Sequence, residues 1–504
     1  MKFKNPIIPG FHPDPSICRV GEDYYLVTSS FEYFPGVPIF HSKDLVHWRQ
    51  IGYCLTRRSQ LELEYAKNSM GIWAPTLRYY NGRFYMITTN VSHGGHFYVY
   101  TDDIYGEWSD PIWIEGDGHD PDIFFDDDGK VYILRHNGYK GITMWEMDIE
   151  TGYLKGEPKY IWQGWEDKQC EAPHIYKING KYYLITAEGG TWKGHMVTIA
   201  RSDKIDGPYE GCHYNPILTH RHLVGHPVQS TGHGDLVQAH DGSWWMVFLA
   251  TRPVNYQYHH LGRETFLAPV TWKDDGWPIV NDGKPIEINM EVETSLPVYI
   301  VEPENSKDDF NSDKLHLCWN FRRNPSDEYW SLKERPGFLA IRGDRYTLDD
   351  VEFKSFIGRR QEHFNCSVKA LMVFLSNVEG DEAGLTIFAN EEHHYEIGII
   401  VLNGIRKIIV RKRIGDVKII EYCEPIEKGD VILNINATRT DYHIGYSIDG
   451  VNYKVVAKAM TRYISEEVAD SYTGTYIAMY STGNGKMASC PVYFDWFEYV
   501  EKEE

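Results

Sequence analysis

Hydrophobic residues in the first 290 positions fall in short runs rich in Tyr, Val, Ile and Leu, punctuated by glycine turns. The three-to-four spacing of an amphipathic helix is hard to find there. One kind of turn, followed by an aromatic strand, occurs five times. The copies read Gly21-Glu-Asp-Tyr-Tyr25-Leu-Val, Asn81-Gly-Arg-Phe-Tyr85-Met-Ile, Asp128-Gly-Lys-Val-Tyr132-Ile-Leu, Asn179-Gly-Lys-Tyr-Tyr183-Leu-Ile and Asp241-Gly-Ser-Trp-Trp245-Met-Val. Four of them carry Asn-Gly or Asp-Gly, which accept the positive φ angles of a tight hairpin. Aligned on Tyr25, Tyr85, Tyr132, Tyr183 and Trp245, successive copies lie 60, 47, 51 and 62 residues apart. That period is too long for a hairpin and suits a four-stranded sheet.

The strand before each turn repeats as well. It begins Asp14-Pro15-Ser-Ile, Ala74-Pro75-Thr-Leu, Asp120-Pro121-Asp-Ile, Ala172-Pro173-His-Ile and Gly234-Asp235-Leu-Val, which aligns Asp235 with the four prolines. Two further β-like runs complete each unit. The pattern predicts an all-β chain whose residues 1–290 form a five-bladed β-propeller, each first strand lining the central axis. Residues about 285–307 lack the repeat and read as a linker. From 308 to 504, strand-like runs such as Phe338-Leu-Ala-Ile-Arg and Tyr476-Ile-Ala-Met-Tyr alternate with turns, as in a two-sheet β-sandwich of jelly-roll type.

The ring changes the meaning of three acids. Asp14, Asp120 and Glu171 stand at the starts of first strands, so a propeller gathers them at one end of its axis. Asp122 is a rival to Asp120, which is preferred because it aligns with Asp14. Glu171 sits one place earlier in the register, so its side chain should leave the strand in another direction.

Composition narrows the partners. A net charge of −21 argues against nucleic acid and anionic membrane. Aromatic residues make up 14% of the chain, and their flat faces suit both sheets and sugars. The eight cysteines show no CxxC pair, so reduced, buried thiols are expected rather than a disulfide framework or zinc site. No apolar stretch reaches the length of a membrane span and no apolar segment follows the basic N-terminal residues; a cytoplasmic protein is expected. His12, His119, His174 and His233 lie on different blades without metal-ligand spacing, so they read as hydrogen-bonding groups.

Cleaving a glycosidic bond requires a protonated acid at the leaving oxygen and an ionised carboxylate that activates water or attacks the sugar. A third carboxylate nearby holds the acid's pKa up, because adjacent like charges resist ionisation. Three acids round an axis can fill these roles. The motifs Phe11-His-Pro-Asp14-Pro-Ser, Trp73-Ala-Pro-Thr, Gly118-His-Asp120-Pro, Glu171-Ala-Pro-His-Ile-Tyr, Ala187-Glu188-Gly-Gly-Thr, Gly232-His233-Gly-Asp and Leu261-Gly-Arg263-Glu-Thr, in that order, resemble glycoside hydrolase family 43. The likeness is greatest to its two-domain β-xylosidases and α-L-arabinofuranosidases, whose accessory domain is concanavalin-like.

The resemblance implies hydrolysis with inversion, Asp14 as general base, Glu171 as general acid and Asp120 as modulator of the acid's pKa. It also implies sugar contacts from Trp73, Glu188, His233 and Arg263, and from Tyr472 of the sandwich entering the pocket. It implies no cofactor for the chemistry. It does suggest a calcium ion, either beside His233 or held by Asp309 and Asp495 in the sandwich. The expected activity is exo-cleavage of D-xylose from the non-reducing end of xylooligosaccharides, with α-L-arabinofuranosides as further substrates. A dedicated α-L-arabinofuranosidase, a non-catalytic carbohydrate-binding propeller and a protein-binding scaffold are the rivals. A homo-oligomer is the family's expectation for assembly. Against the commonest family spelling, His119 precedes Asp120 where an apolar residue is usual.

Overall fold

Each repeated turn closes an antiparallel hairpin whose register the sequence sets. In the computed structural model, which describes residues 1–166, 169–302, 305–427 and 430–502, Asn81 and Gly82 both take positive φ (50° and 85°), as do Asn179 and Gly180 (51° and 77°). Such pairs make the hairpin turn whose twist matches its strands. Residues 303–304 of the expected linker and 503–504 of the expected sandwich lie outside the described residues.

Five sheets follow in chain order. Blade I runs from Ser16–Val20 to Arg49–Leu55, blade II from Thr76–Tyr80 to Ile112–Ile114, and blade III from His119–Phe125 to Leu154–Trp162. Blade IV runs from Glu171–Ile178 to Leu218–Thr219, and blade V from Gln229–Gln238 to Pro278–Val280. Neighbouring first strands touch in turn, and the first strands of blades V and I close the ring. The repeated aromatics fill the gaps between blades. Tyr25 meets Phe84 (centroids 5.2 Å), Tyr85 meets Phe125 (5.0 Å) and Tyr183 meets Trp272 (5.2 Å).

The ring is latched by the N-terminus. Ile7 N–H donates to Thr265 O (2.9 Å), Asn5 bonds both backbone groups of Leu267, and Lys2–Lys4 pairs with Asn289–Glu291. Part of the expected linker is therefore a strand of the propeller's closure. Below the ends of the first strands, Ser16, Thr76, Asp122, His174 and Asp235 occupy equivalent register positions, one per blade. Arg78 joins this layer together, with Asp122 at 2.9 Å, Asp235 at 3.0 Å and His174 Nδ1 at 2.9 Å. These contacts satisfy charges that would be costly to bury alone.

That register corrects the alignment of the fifth repeat. Gly234, not Asp235, occupies the proline position, and His233 is the counterpart of Asp14. The hairpin of blade V is one residue longer than that of blade I, as the pairings Cys18–Tyr25 and Val237–Trp245 show.

Two sheets from residue 307 onward face one another as a sandwich. One of them carries a strand from the propeller. Tyr33–Phe34 of blade I pairs antiparallel with Asn320–Arg322 and completes the eight-stranded sheet. Aromatic packing continues across this join, Tyr33 stacking on Tyr476 with centroids 3.9 Å apart. The only α-helix among the described residues is Glu466–Ala469.

Candidate active site

The first strands of blades III, IV and V are bulged at their starts. Asp14, Asp120, Ala172 and His233 occupy one register position on four blades, and all have left-handed backbone, with φ between 50° and 55°. For non-glycine residues this costs roughly 1–2 kcal/mol each. Bulges of this kind re-aim side chains. Here the left-handed backbone that Asp14 and Asp120 share directs them to the axis, while Glu171, immediately before its bulge, approaches from blade IV.

All three acids line one cavity of about 260 Å³ at the axis, together with Phe31, Trp73, His119, Trp192, His233, Arg263 and Tyr472. Blades I and IV are not neighbours in the ring, so Asp14 and Glu171 approach from non-adjacent blades. Asp120 lies on blade III, next to Glu171.

Each acid has different surroundings. Asp14 accepts Ser29 Oγ at 2.5 Å and Arg263 Nη1 at 3.2 Å, and His233 Nδ1 lies 3.4 Å away. Burial lowers the pKa of His233, which favours its neutral form. Ligating atoms of His119, Asp120 and Glu171 all lie within 4.8 Å of one another, with His119 Nδ1 3.2 Å from Asp120 Oδ1. Burial would raise the pKa of Asp120, but the charge on His119 and its hydrogen bond hold it well below the usual carboxylate range. Glu171 goes the other way: burial first, then the negative charge of Asp120, push it up to about 7. Burial opposes the positive charge of His119, yet Asp120, Glu171 and Asp14 hold it up at about 9. Two carboxyls at one site are thus driven apart, one ionised and one poised to carry a proton near neutrality.

Arg263 Nη1 also bonds Thr191 Oγ1 (3.1 Å), and Nη2 bonds the Tyr472 carbonyl (3.4 Å). Its guanidinium lies 5.6 Å from the ring centres of both Phe31 and Tyr472. Trp73 is fixed by Nε1–H to Ser69 O (3.1 Å), and its ring meets His119 edge-on at 5.4 Å. Asp122, the rival to Asp120, belongs to the Arg78 layer and is absent from the cavity lining.

One expectation changes. Glu188 is fully buried and absent from the cavity lining; it accepts Trp165 N–H (2.7 Å), Glu166 N–H (3.0 Å) and Thr198 Oγ1–H (2.7 Å). It anchors the loop that leads to Glu171. Asp309 and Asp495 belong to no cluster of three ligating groups among the described residues, and Asp309 is exposed and accepts Asn311 N–H (3.2 Å). Beside His233, the nearest carboxylate oxygen, Asp14 Oδ1, faces the Arg263 guanidinium.

Sequence reasoning overlooked Ser29, Phe31, Thr191, Trp192 and His195. A signal existed. The end of a second strand lies beside the start of the first in an antiparallel hairpin, so residues just after second strands share the catalytic end.

Comparison with known proteins agrees with this architecture. Residues 3–278 match the family described as Glycosyl hydrolases family 43, and residues 307–500 match the Beta xylosidase C-terminal Concanavalin A-like domain. The chain is 44% identical, over 99% of its length and 94% of the relative's, to the non-reducing end alpha-L-arabinofuranosidase BoGH43B of Bacteroides ovatus. It is 40% identical, over 99% of both, to the xylosidase/arabinosidase of Butyrivibrio fibrisolvens. The solved structure of the Bacteroides ovatus xyloglucan-locus GH43B superposes with a TM-score of 0.96, at 43% identity and full coverage of both chains.

Proposed function

The chain belongs to glycosyl hydrolase family 43, and from that premise we propose that it is an exo-acting, inverting β-D-xylosidase that also cleaves α-L-arabinofuranosides. The observation that carries this reading is the pairing of Glu171, raised to about 7, with Asp14 on a non-adjacent blade of the same cavity. As a hydrolase of this family it needs no cofactor for the chemical step.

In this reading the terminal pentose lies in the cup against Trp73 and Phe31, with Arg263 and His233 bonding its hydroxyls. Glu171 gives its proton to the glycosidic oxygen as the bond to the anomeric carbon breaks. A water on the opposite face loses a proton to Asp14 and adds to that carbon. The product leaves with inverted configuration, Glu171 ionised and Asp14 protonated, and proton exchange with solvent resets both. Asp120 keeps Glu171 protonated between turnovers. Tyr472, which reaches the cup from the sandwich, supports exo attack because it occupies space that an internal chain segment would need.

Xylobiose followed by NMR tests the mechanism. The xylose cut from the non-reducing end should appear as the α-anomer, read as an initial excess of α over the anomeric mixture that the freed reducing-end unit already carries, and then mutarotate; an initial excess of β would overturn inversion, and no release would favour a binding protein. A dedicated α-L-arabinofuranosidase is the second reading, favoured by the name of the 44% identical Bacteroides ovatus relative. Rates on nitrophenyl xyloside and nitrophenyl arabinofuranoside separate the two. The eight free cysteines support a cytoplasmic location, where thiols stay reduced.

A further inference from the structure

Between the two domains lies an ionic cluster, with His259 and Glu466 buried and Glu467 at its exposed edge, that the proposed chemistry does not use. His259 belongs to the loop of blade V that runs into Arg263. Its Nε2 is 2.7 Å from Glu466 Oε2 and its Nδ1 is 2.8 Å from Glu467 Oε1. Both glutamates belong to the sandwich, at the start of the segment that carries Tyr472. The backbones join in too, His259 N–H donating to Glu467 Oε2 (3.0 Å) and Glu466 N–H to His259 O (3.2 Å). With a carboxylate on each side, both ring nitrogens must donate, and the ring must therefore carry its charge. Burial alone would oppose that charge, yet the two glutamates raise His259 to about 10. The other ionisable groups in this corner are Arg252, paired with Glu264 at 2.7 Å, Arg439, Arg462, and His260, which burial lowers to about 3.

Residues 465–476 run from this cluster to the cup and are pinned again beyond it. Thr475 N–H and Oγ1–H both donate to His260 O, at 2.9 and 2.7 Å. Gly262 and Gly474 pass so closely that a Cβ on Gly474 would lie 2.3 Å from Leu261 O, so no other residue fits without movement. Between the two pins, Tyr472 N–H bonds Ser69 Oγ (2.8 Å), while the Tyr472 carbonyl and ring both face Arg263.

We infer that His259 is a positioning residue of the sugar pocket: held between Glu466 and Glu467, it fixes the Tyr472 segment against the Arg263 loop and so sets the shape in which the terminal pentose is bound. This rests on the xylosidase reading above for its substrate. The energetic logic is that of a buried charge held by two partners, where removing the centre leaves two carboxylates facing each other. The group touches no substrate, so its loss should weaken binding and leave the proton transfers intact.

The test is full-length His259→Phe, with His259→Lys as the variant that keeps a cation and Glu467→Gln as a milder break. Hydrogen exchange of peptides covering 466–476 is read beside KM and kcat on xylobiose. His259→Phe should exchange faster in that segment and show KM raised about 10-fold with kcat within about 2-fold, the signature of lost uniform binding. His259→Lys should recover most of both. If His259→Phe does not fold, Glu467→Gln must show the same pattern in smaller measure. The inference falls if exchange and KM stay at wild-type values, if the loss appears in kcat alone, or if Lys is no better than Phe. Wild-type inactivity on xylobiose would count against the xylosidase reading, while the exchange measurement would still judge the clamp.

Discussion

At the scale of single residues, Glu171 and His119 carry the proposed chemistry. In the proposed mechanism hydrolysis needs Glu171 protonated, so activity should fall as pH rises through about 7. Asp120 raises Glu171 and His119 lowers it. Asp120→Asn should therefore move that basic limb to lower pH, and His119→Leu should move it to higher pH; pH profiles of kcat/KM read both. Shifts in the same direction would contradict the charge arrangement. Glu171→Gln should lower kcat/KM on xylobiose about 10²–10⁴-fold, the range of general acid catalysis. It should cost much less on nitrophenyl xyloside, whose leaving group departs as an anion without help. The same substitution should raise the thermal midpoint. A carboxyl raised from 4.5 to about 7 on folding destabilises the native state increasingly as pH climbs between those values. The gain from Glu171→Gln should accordingly be large at pH 8 and small at pH 4.

At the scale of strands and turns, left-handed residues at the strand starts aim the acids. Ala172 has no functional atoms, yet its φ of 50° sends the chain past Glu171 into the inner strand of blade IV. Ala172→Val adds a β-branched side chain to a left-handed, buried position and should lower both the thermal midpoint and kcat/KM. Ala172→Gly relieves the strained φ but frees the unfolded chain, so its midpoint should lie near wild type with activity kept. Thermal melts of the two variants, with rates on xylobiose, check the pair. The hairpins were legible because Asn-Gly turns and paired aromatics carry local signals, and through them Asp14, Asp120 and Glu171 could be grouped. The fifth blade was misaligned by one because its longer turn lacks a proline marker, and a one-residue shift exchanges the faces of a strand. Glu188 looked like a sugar ligand by motif alone; whether it faces the cup or the loop behind it depends on the Trp165 and Glu166 amides, which no local pattern announces.

At the scale of the molecule, propeller and sandwich are joined by backbone as well as side chains. Pairing across long separations in sequence leaves no local trace, which is why the Tyr33–Phe34 strand was invisible before the structure. Around it, Arg360 donates to Phe11 O (2.7 Å), Tyr53 OH donates to Leu317 O (2.7 Å), and Arg323 Nε–H donates to Ala66 O (2.6 Å). Arg322 and Arg323 are both buried and share Glu391. Opening this join would strip partners from buried cations and from the edge of an eight-stranded sheet, so neither domain should persist once the other has unfolded. The full chain should then give a single calorimetric transition, with intrinsic fluorescence and xylosidase activity lost over the same temperature range. Phe34→Pro removes the Phe34 N–H and tests the claim locally: its midpoint should fall for both domains together, and KM should rise because Tyr472 reaches the cup only through this docking. Two resolved transitions, with activity following the first alone, would mean that the sandwich rests on the propeller without sharing its stability.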